Sequence, residues 1–197
     1  MKLYYDPITV NCRKVVAGLD LIGASYDEER LNYFGGDHKQ APYTDINPNA
    51  ELPALVDDDL VLWESNAIMV YASEKLGNTN VYSNDPKIRA DMTRWMLWES
   101  SKWFAACYVY LVENVVKPIL DDVPDQGVLS AHGPTFHGLA TIFENTLAGR
   151  EWLCDNQTTI ADIAMAAPMH LHAAQKLPLD DYPSIRAWIA RIEALPC

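Results

Sequence analysis

The sequence predicts an α/β half followed by an all-α half. Three observations carry that expectation. Strand-like and helix-like stretches alternate up to Gly77, first as βαβ and then as ββα; residues 78–85, NTNVYSND, have linker composition; and from Pro86 onward apolar residues keep helical spacing with no further strand required. The expected boundaries are residues 1–77 and 86–197, joined by 78–85.

The elements follow in order. Leu3 to Tyr5 make an apolar run stopped by Pro7, which suits a first strand. From Asn11, the positions Cys12, Val15, Val16, Leu19 and Ile22 repeat at three and four, as on a helix buried along one face, and Gly23 supplies a stop. Residues 26–32 could hold a second strand, although YDEERLN is polar and alternates poorly. The stretch NYFGGDHKQAPYTDINPN reads as loop with room for one short helix. Pro53 to Val56 and Leu60 to Trp63 flank Asp57, Asp58 and Asp59, the pattern of a hairpin with a tight acidic turn. Ser65 then opens a helix whose apolar face is Ile68, Tyr71, Ala72 and Leu76, with Gly77 as its stop.

Asp85-Pro86 starts the helical half, with Asp as cap and Pro at the first helical position. Ile88, Met92, Trp95, Met96, Glu99 and Trp103 lie on one stripe, and the pattern runs to a break at Lys117-Pro118. Leu139, Ile142, Phe143 and Leu147 mark a further helix, and Ile185, Trp188, Ile189 and Ile192 mark the last. Between them Thr159-Ile-Ala-Asp162 sets a capping hydroxyl three residues ahead of a carboxylate that can reach back.

A formal charge of -12 on 197 residues repels nucleic-acid backbones and anionic membrane surfaces at long range, so neither is an expected partner. Asp6 and Pro7 interrupt the opening residues, and no later run approaches the length of a membrane span, so a cytoplasmic protein is expected. Cys12, Cys107, Cys154 and Cys197 are scattered without a C-x-x-C pair, which predicts reduced thiols. His170 and His172 would diverge on a helix and there is no H-E-x-x-H, so no metal is expected.

Five motifs in order span the chain: D-P-I-T-V-N-C-R-K-V, N-P-N-A-E-L-P-A-L-V, W-E-S-N-A-I, T-I-A-D-I-A and Y-P-S-I-R-A-W-I-A-R-I. With them the chain resembles the glutathione transferase superfamily. The resemblance implies a thioredoxin-like βαβαββα domain that binds glutathione, an all-helical C-terminal domain, and a homodimer. It also implies conjugation of the glutathione thiolate to a small hydrophobic electrophile. In theta-like members a Ser stands four residues before the Arg of a C-R pair, a place held here by Thr9 before Cys12-Arg13; nu-like members carry T-P-N, similar to Thr9-Val10-Asn11. The resemblance therefore points to Thr9 and Asn11 at the sulfur.

A free thiol titrates at about 8.5, so a thiolate at neutral pH asks for a shift of about two units, or about 2.7 kcal/mol. A hydrogen bond to a charged acceptor contributes about 1.5–3 kcal/mol and a helix N-terminus about 0.3–1. Thr9 just ahead of the first helix can therefore meet the requirement together with the free backbone N–H groups there, without a lysine or a metal. Thr9 as a plain helix cap is the other reading. Cys12 falls on the apolar face and reads as a buried thiol; Tyr4, in a strand, ranks below Thr9 as the thiol's partner.

The resemblance further implies a cis Leu52-Pro53 bond that turns the Leu52 backbone toward the cysteinyl backbone of glutathione. It assigns the γ-glutamyl carboxylate to Ser65 and its helix N-terminus, and the γ-glutamyl ammonium to Glu64; an N-cap beside a solvated acid is the plainer reading of that pair. Where the family often has a donor for the glycine carboxylate, this chain has Glu51, which repels it. His38 and Lys39 are candidates to supply the positive charge instead, or are exposed loop residues. The electrophile is expected against the stripe Trp95, Trp103 and Tyr108, with Trp103 and Tyr108 as its contacts. Glutathione-dependent disulfide or peroxide reduction, and a transferase-like binding module without turnover, are the alternatives.

Overall fold

The computed structural model describes residues 1–196 and divides the chain into two compact units, Met1–Asn84 and Asp85–Leu195. Cys197 lies outside the described residues.

In the first unit the elements are β1 (Lys2–Tyr5), α1 (Val10–Ile22), β2 (Asp27–Arg30), a 3-10 turn (Asp37–Lys39), α2 (Tyr43–Ile46), β3 (Ala54–Asp57), β4 (Leu60–Trp63) and α3 (Ser65–Leu76). The sheet order is β2-β1-β3-β4. β1 runs parallel to β2, with Lys2 opposite Asp27, and antiparallel to β3, with Leu3 opposite Leu55. β4 closes the hairpin antiparallel to β3. The second strand is real although its sequence, DEER, alternates poorly: it lies on the sheet edge with its side chains mostly exposed, so no apolar face is needed. Gly23 ends α1 in the left-handed conformation at φ 77, as its position predicts.

α1 and α3 pack closely because Gly18 has no side chain: a Cβ there would stand 2.3 Å from Met69 Sδ and 2.8 Å from its Cγ. Met69 is fully buried, whereas Leu76, expected on the apolar face of α3, is 47% exposed. The stripe is thus Ile68, Met69 and Ala72, and Leu76 falls at the fraying end beside Gly77. The hairpin turn is also shorter than the three acids suggest. Asp57 belongs to β3 and is buried, accepting from Tyr71 Oη at 2.5 Å and pairing with the Lys75 ammonium, which with Tyr71 holds its carboxyl down at about 2. Only Asp58 and Asp59 turn, Asp58 at φ 54.

The second unit is helical throughout its regular elements: α4 (Pro86–Trp98), α5 (Phe104–Leu111), α6 (Lys117–Ile119), α7 (Gln126–Leu147), α8 (Ile160–Ala166), α9 (His172–Gln175) and α10 (Pro183–Glu193). Asp85 caps α4 by accepting from Lys87 N–H at 2.7 Å, with Pro86 at the start. The helix does not stop at Lys117-Pro118. π-wound turns at Glu99–Trp103 and Val112–Val116 join α4, α5 and α6, so the missing Pro118 N–H is met by a change of winding. α7 begins well before its expected stripe, at the Asp125 cap, and buries Phe136, Ala140, Phe143 and Leu147, leaving Ile142 exposed. Trp103, Phe136, Phe143 and Trp188 interlock with ring centroids 5.1–5.6 Å apart to form the aromatic centre of this unit.

Candidate functional site

The turn between β1 and α1 is built around Thr9. Its backbone is extended, its N–H donates to the Asp6 carbonyl at 3.1 Å, and its hydroxyl accepts from Cys12 N–H at 3.3 Å, capping α1. The same hydroxyl lies 3.4 Å from the Asp6 carbonyl, a long contact for its proton. Capping uses only a lone pair of this oxygen, so the O–H remains able to donate elsewhere. Capping and thiol binding are therefore compatible. Arg13 closes the turn from outside, its Nε donating to Pro7 O at 2.6 Å.

Asn11, in the first turn of α1, meets a residue 54 positions away: Ser65 Oγ donates to Asn11 Oδ1 at 3.4 Å. That bond occupies the amide oxygen and leaves the Asn11 NH2 group without a partner among the described residues. Ser65 is buried at the start of α3, where no side chain caps the helix, so the first-turn N–H groups form an open anion-binding end. Glu64 precedes it, exposed and in the left-handed region at φ 75.

The Leu52-Pro53 peptide bond is cis. The loop before it is folded on Asn47, whose Nδ2 donates to the Glu51 carbonyl at 2.8 Å, an oxygen that Tyr43 Oη also reaches at 2.5 Å. Leu52 packs with Cys12, Tyr43 and Ala54, which sets it beside α1. The Leu52 backbone N–H and C=O have no partner among the described residues, so an extended peptide can pair there. The Glu51 side chain is exposed.

His38 and Lys39 behave differently from one another. His38 is 4% exposed and stacks on Tyr33 with centroids 4.6 Å apart. Burial pushes its pKa below the ordinary histidine value, so at neutral pH it is an uncharged ring, and its Nδ1 is buried without a partner. Of the pair, the exposed Lys39 ammonium carries the charge. Asp6 and Tyr33, which the sequence patterns did not single out, hold this loop to the β1–α1 turn: Tyr33 N–H donates to Asp6 Oδ2 at 2.9 Å. An Asp two residues before Ile8 is a local turn signal, but nothing local links it to a partner 27 positions on.

Thr9, Asn11, Leu52 and Ser65 are thus gathered around the front of α1, with His38 and Lys39 tied in through Asp6. Trp103 is corrected: it is fully buried, its ring packed against Trp98, Phe136 and Phe143, and offers no surface to a ligand. Tyr108 is 41% exposed and stacks on Phe104. Burial raises the Cys12 thiol to about 11, so it is protonated at neutral pH and accepts from Asp6 N–H at 3.4 Å. Tyr4 is half-buried against Tyr43. No group of three or more His, Cys, Asp and Glu side chains stands together to hold a metal among the described residues, and no helix there is long and apolar enough to cross a membrane.

Residues 1–74 match the family model described as the glutathione S-transferase N-terminal domain, and residues 118–196 the C-terminal domain. The chain is 30% identical over 200 residues to a glutathione S-transferase of Hyoscyamus muticus, covering 100% of this chain and 94% of the relative. Among solved structures it resembles glutathione transferase F7 from Populus trichocarpa at 26% identity and a TM-score of 0.90, covering 99% of this chain and 94% of that one. Glutathione S-transferase I from mais, in complex with an atrazine glutathione conjugate, aligns at 26% identity and a TM-score of 0.87, covering 99% and 92%. These matches carry the superfamily and do not establish the theta- or nu-like subtype suggested by the Thr9 turn. With both family models matched in order and a relative similar over the full length, the chain belongs to the glutathione S-transferase family.

Proposed function

We propose that this chain conjugates glutathione to a small hydrophobic electrophile, with Thr9 and Asn11 stabilising the attacking sulfur. The thiol gives its proton to solvent, the thiolate attacks an electrophilic carbon, a C–S bond forms, and a leaving group such as halide departs with its electron pair. The Thr9 O–H and the Asn11 NH2 donate to the sulfur at the front of the 13-residue α1. The Leu52 backbone pairs with the cysteinyl backbone. Ser65 and the open end of α3 take the γ-glutamyl carboxylate, and Glu64 its ammonium. Lys39 and the neutral His38 ring take the glycine carboxylate, and Tyr108 faces the electrophile. Residues 1–77 serve as the glutathione-binding domain, 78–85 as linker and 86–197 as the C-terminal domain, in a cytoplasmic homodimer.

The observation that supports this reading is the 3.4 Å approach of Ser65 Oγ to Asn11 Oδ1, which brings the front of α1 and the start of α3 within reach of one peptide-sized ligand. Conjugation of a halogenated nitroaromatic tests it. The wild type should turn over, and Thr9→Ala should lose about 10- to 100-fold in kcat/KM, the loss of one hydrogen bond to a charged acceptor. An unchanged rate removes Thr9 from the mechanism, and faster reduction of a mixed disulfide than conjugation moves the reaction to sulfur. The binding-module reading draws on the exposed Glu51; absence of any thermal stabilisation by millimolar glutathione would select it.

A further inference from the structure

Asp6 is assigned no contact with the ligand, yet it bonds to Thr9 and to the chain segment that leads to His38. It is 6% exposed, and every polar group it owns is engaged. Its Oδ1 accepts from Ile8 N–H at 3.1 Å and its carbonyl from Thr9 N–H at 3.1 Å, which fixes the thiol turn from within. Its N–H donates to Cys12 Sγ at 3.4 Å, fastening the same turn to the buried face of α1. Its Oδ2 accepts from Tyr33 N–H at 2.9 Å, and Tyr33 stacks flat on His38. Arg30, exposed on the sheet edge, approaches Oδ1 only to 3.8 Å.

A carboxylate beside a thiolate opposes its ionisation, so the charge of Asp6 does not favour the proposed chemistry. Its bonding pattern accounts for the residue type. Two backbone N–H donors from opposite sides need two acceptor oxygens, which Asp supplies; Asn would turn an NH2 group against one of them. We infer that Asp6 is a positioning residue that couples the thiol turn to the His38 loop, so that the sulfur end and the glycine end of glutathione are organised together through one carboxylate. The inference rests on the glutathione reading of the site and adds to it a residue that acts through Thr9 and Tyr33 rather than on the ligand.

Asp6→Asn is the test, read with two ligands and against the wild type. S-methylglutathione has no ionisable thiol and reports the backbone and glycine contacts, whereas ultraviolet titration of bound glutathione reports the sulfur. The expected result is that both move: S-methylglutathione affinity falls about tenfold, and the thiol midpoint rises by about half a unit despite the loss of a neighbouring negative charge. A purely structural role would lower Tm and leave both readings of the folded protein in place, which overturns the inference. So does a thiol midpoint that falls, the signature of charge alone. Amide exchange in the wild type keeps the test open should Asp6→Asn not fold: S-methylglutathione should protect the Ile8 and Tyr33 amides together, and protection of only one overturns the coupling. A wild type that binds neither ligand removes the glutathione reading itself, an outcome distinct from a binding wild type with an indifferent Asp6→Asn.

Discussion

At the scale of single residues, the proposed role of Thr9 is compatible with its capping of α1, because its hydroxyl accepts from Cys12 N–H and its proton is held only by a long 3.4 Å contact to the Asp6 carbonyl. Thr9→Ser should preserve both roles, and Thr9→Ala should lose the cap as well, at a cost of about 1 kcal/mol in stability. His38 presents the opposite case. The sequence suggested a charge there, but a ring 4% exposed and stacked on Tyr33 is discouraged from protonating, so in the proposed site the balancing charge falls to Lys39 and the helix ends. Against them stands Glu51, exposed beside the Leu52 backbone. Glu51→Lys should therefore tighten glutathione binding about five- to tenfold, about 1–1.4 kcal/mol, with the gain shrinking at high salt. Calorimetric titration at two ionic strengths checks this; an unchanged Kd at low salt would place Glu51 away from the glycine carboxylate.

Among the elements, α8 has the most concentrated polar support. Asp162, fully buried, accepts from Thr159 N–H at 2.9 Å, Thr159 Oγ1 at 2.9 Å, Leu153 N–H at 3.0 Å and Trp188 Nε1 at 2.9 Å. It joins the start of α8 to α10 and to the preceding loop. Asp162→Ala leaves several buried donors without an acceptor and should destabilise the protein by at least about 3 kcal/mol, lowering Tm by about 6–12 °C; a change within a degree or two would show the box to be dispensable. This cap was legible in the sequence, because capping depends on residues three positions apart. So was α1, whose apolar spacing and terminal glycine are local signals. β2 was faint because an edge strand needs no buried face, and the two π-wound turns left no mark in a pattern that a continuous helix already satisfied. Trp103 was misplaced for a related reason: a helical stripe shows that a side chain is covered, and the interlocking Phe136 and Phe143 lie on a helix more than thirty residues on.

For the whole molecule, the order of elements and the family were readable because five motifs fall in sequence along the chain. The motifs made the proposed site legible at Thr9, Asn11, Leu52 and Ser65, each of which sits on a local sequence signal. It was not readable where a contact depends on the tertiary approach of Asp6 to Tyr33. The first unit leaves Phe34 at 69%, Val61 at 44% and Trp63 at 41% exposure, apolar area suited to the proposed homodimer. Light scattering should give twice the chain mass at micromolar concentration, and Trp63→Lys should shift the population toward monomer; a wild-type monomer would contradict the assembly.

All of this chemistry requires that hydroxyl, amide and helix-end donors at the front of α1 keep a bound thiol ionised. Ultraviolet difference titration of the wild-type glutathione complex measures that directly. The account predicts a thiolate midpoint at about 6.5, two units below a free thiol, and a midpoint that stays at about 8.5 would contradict it.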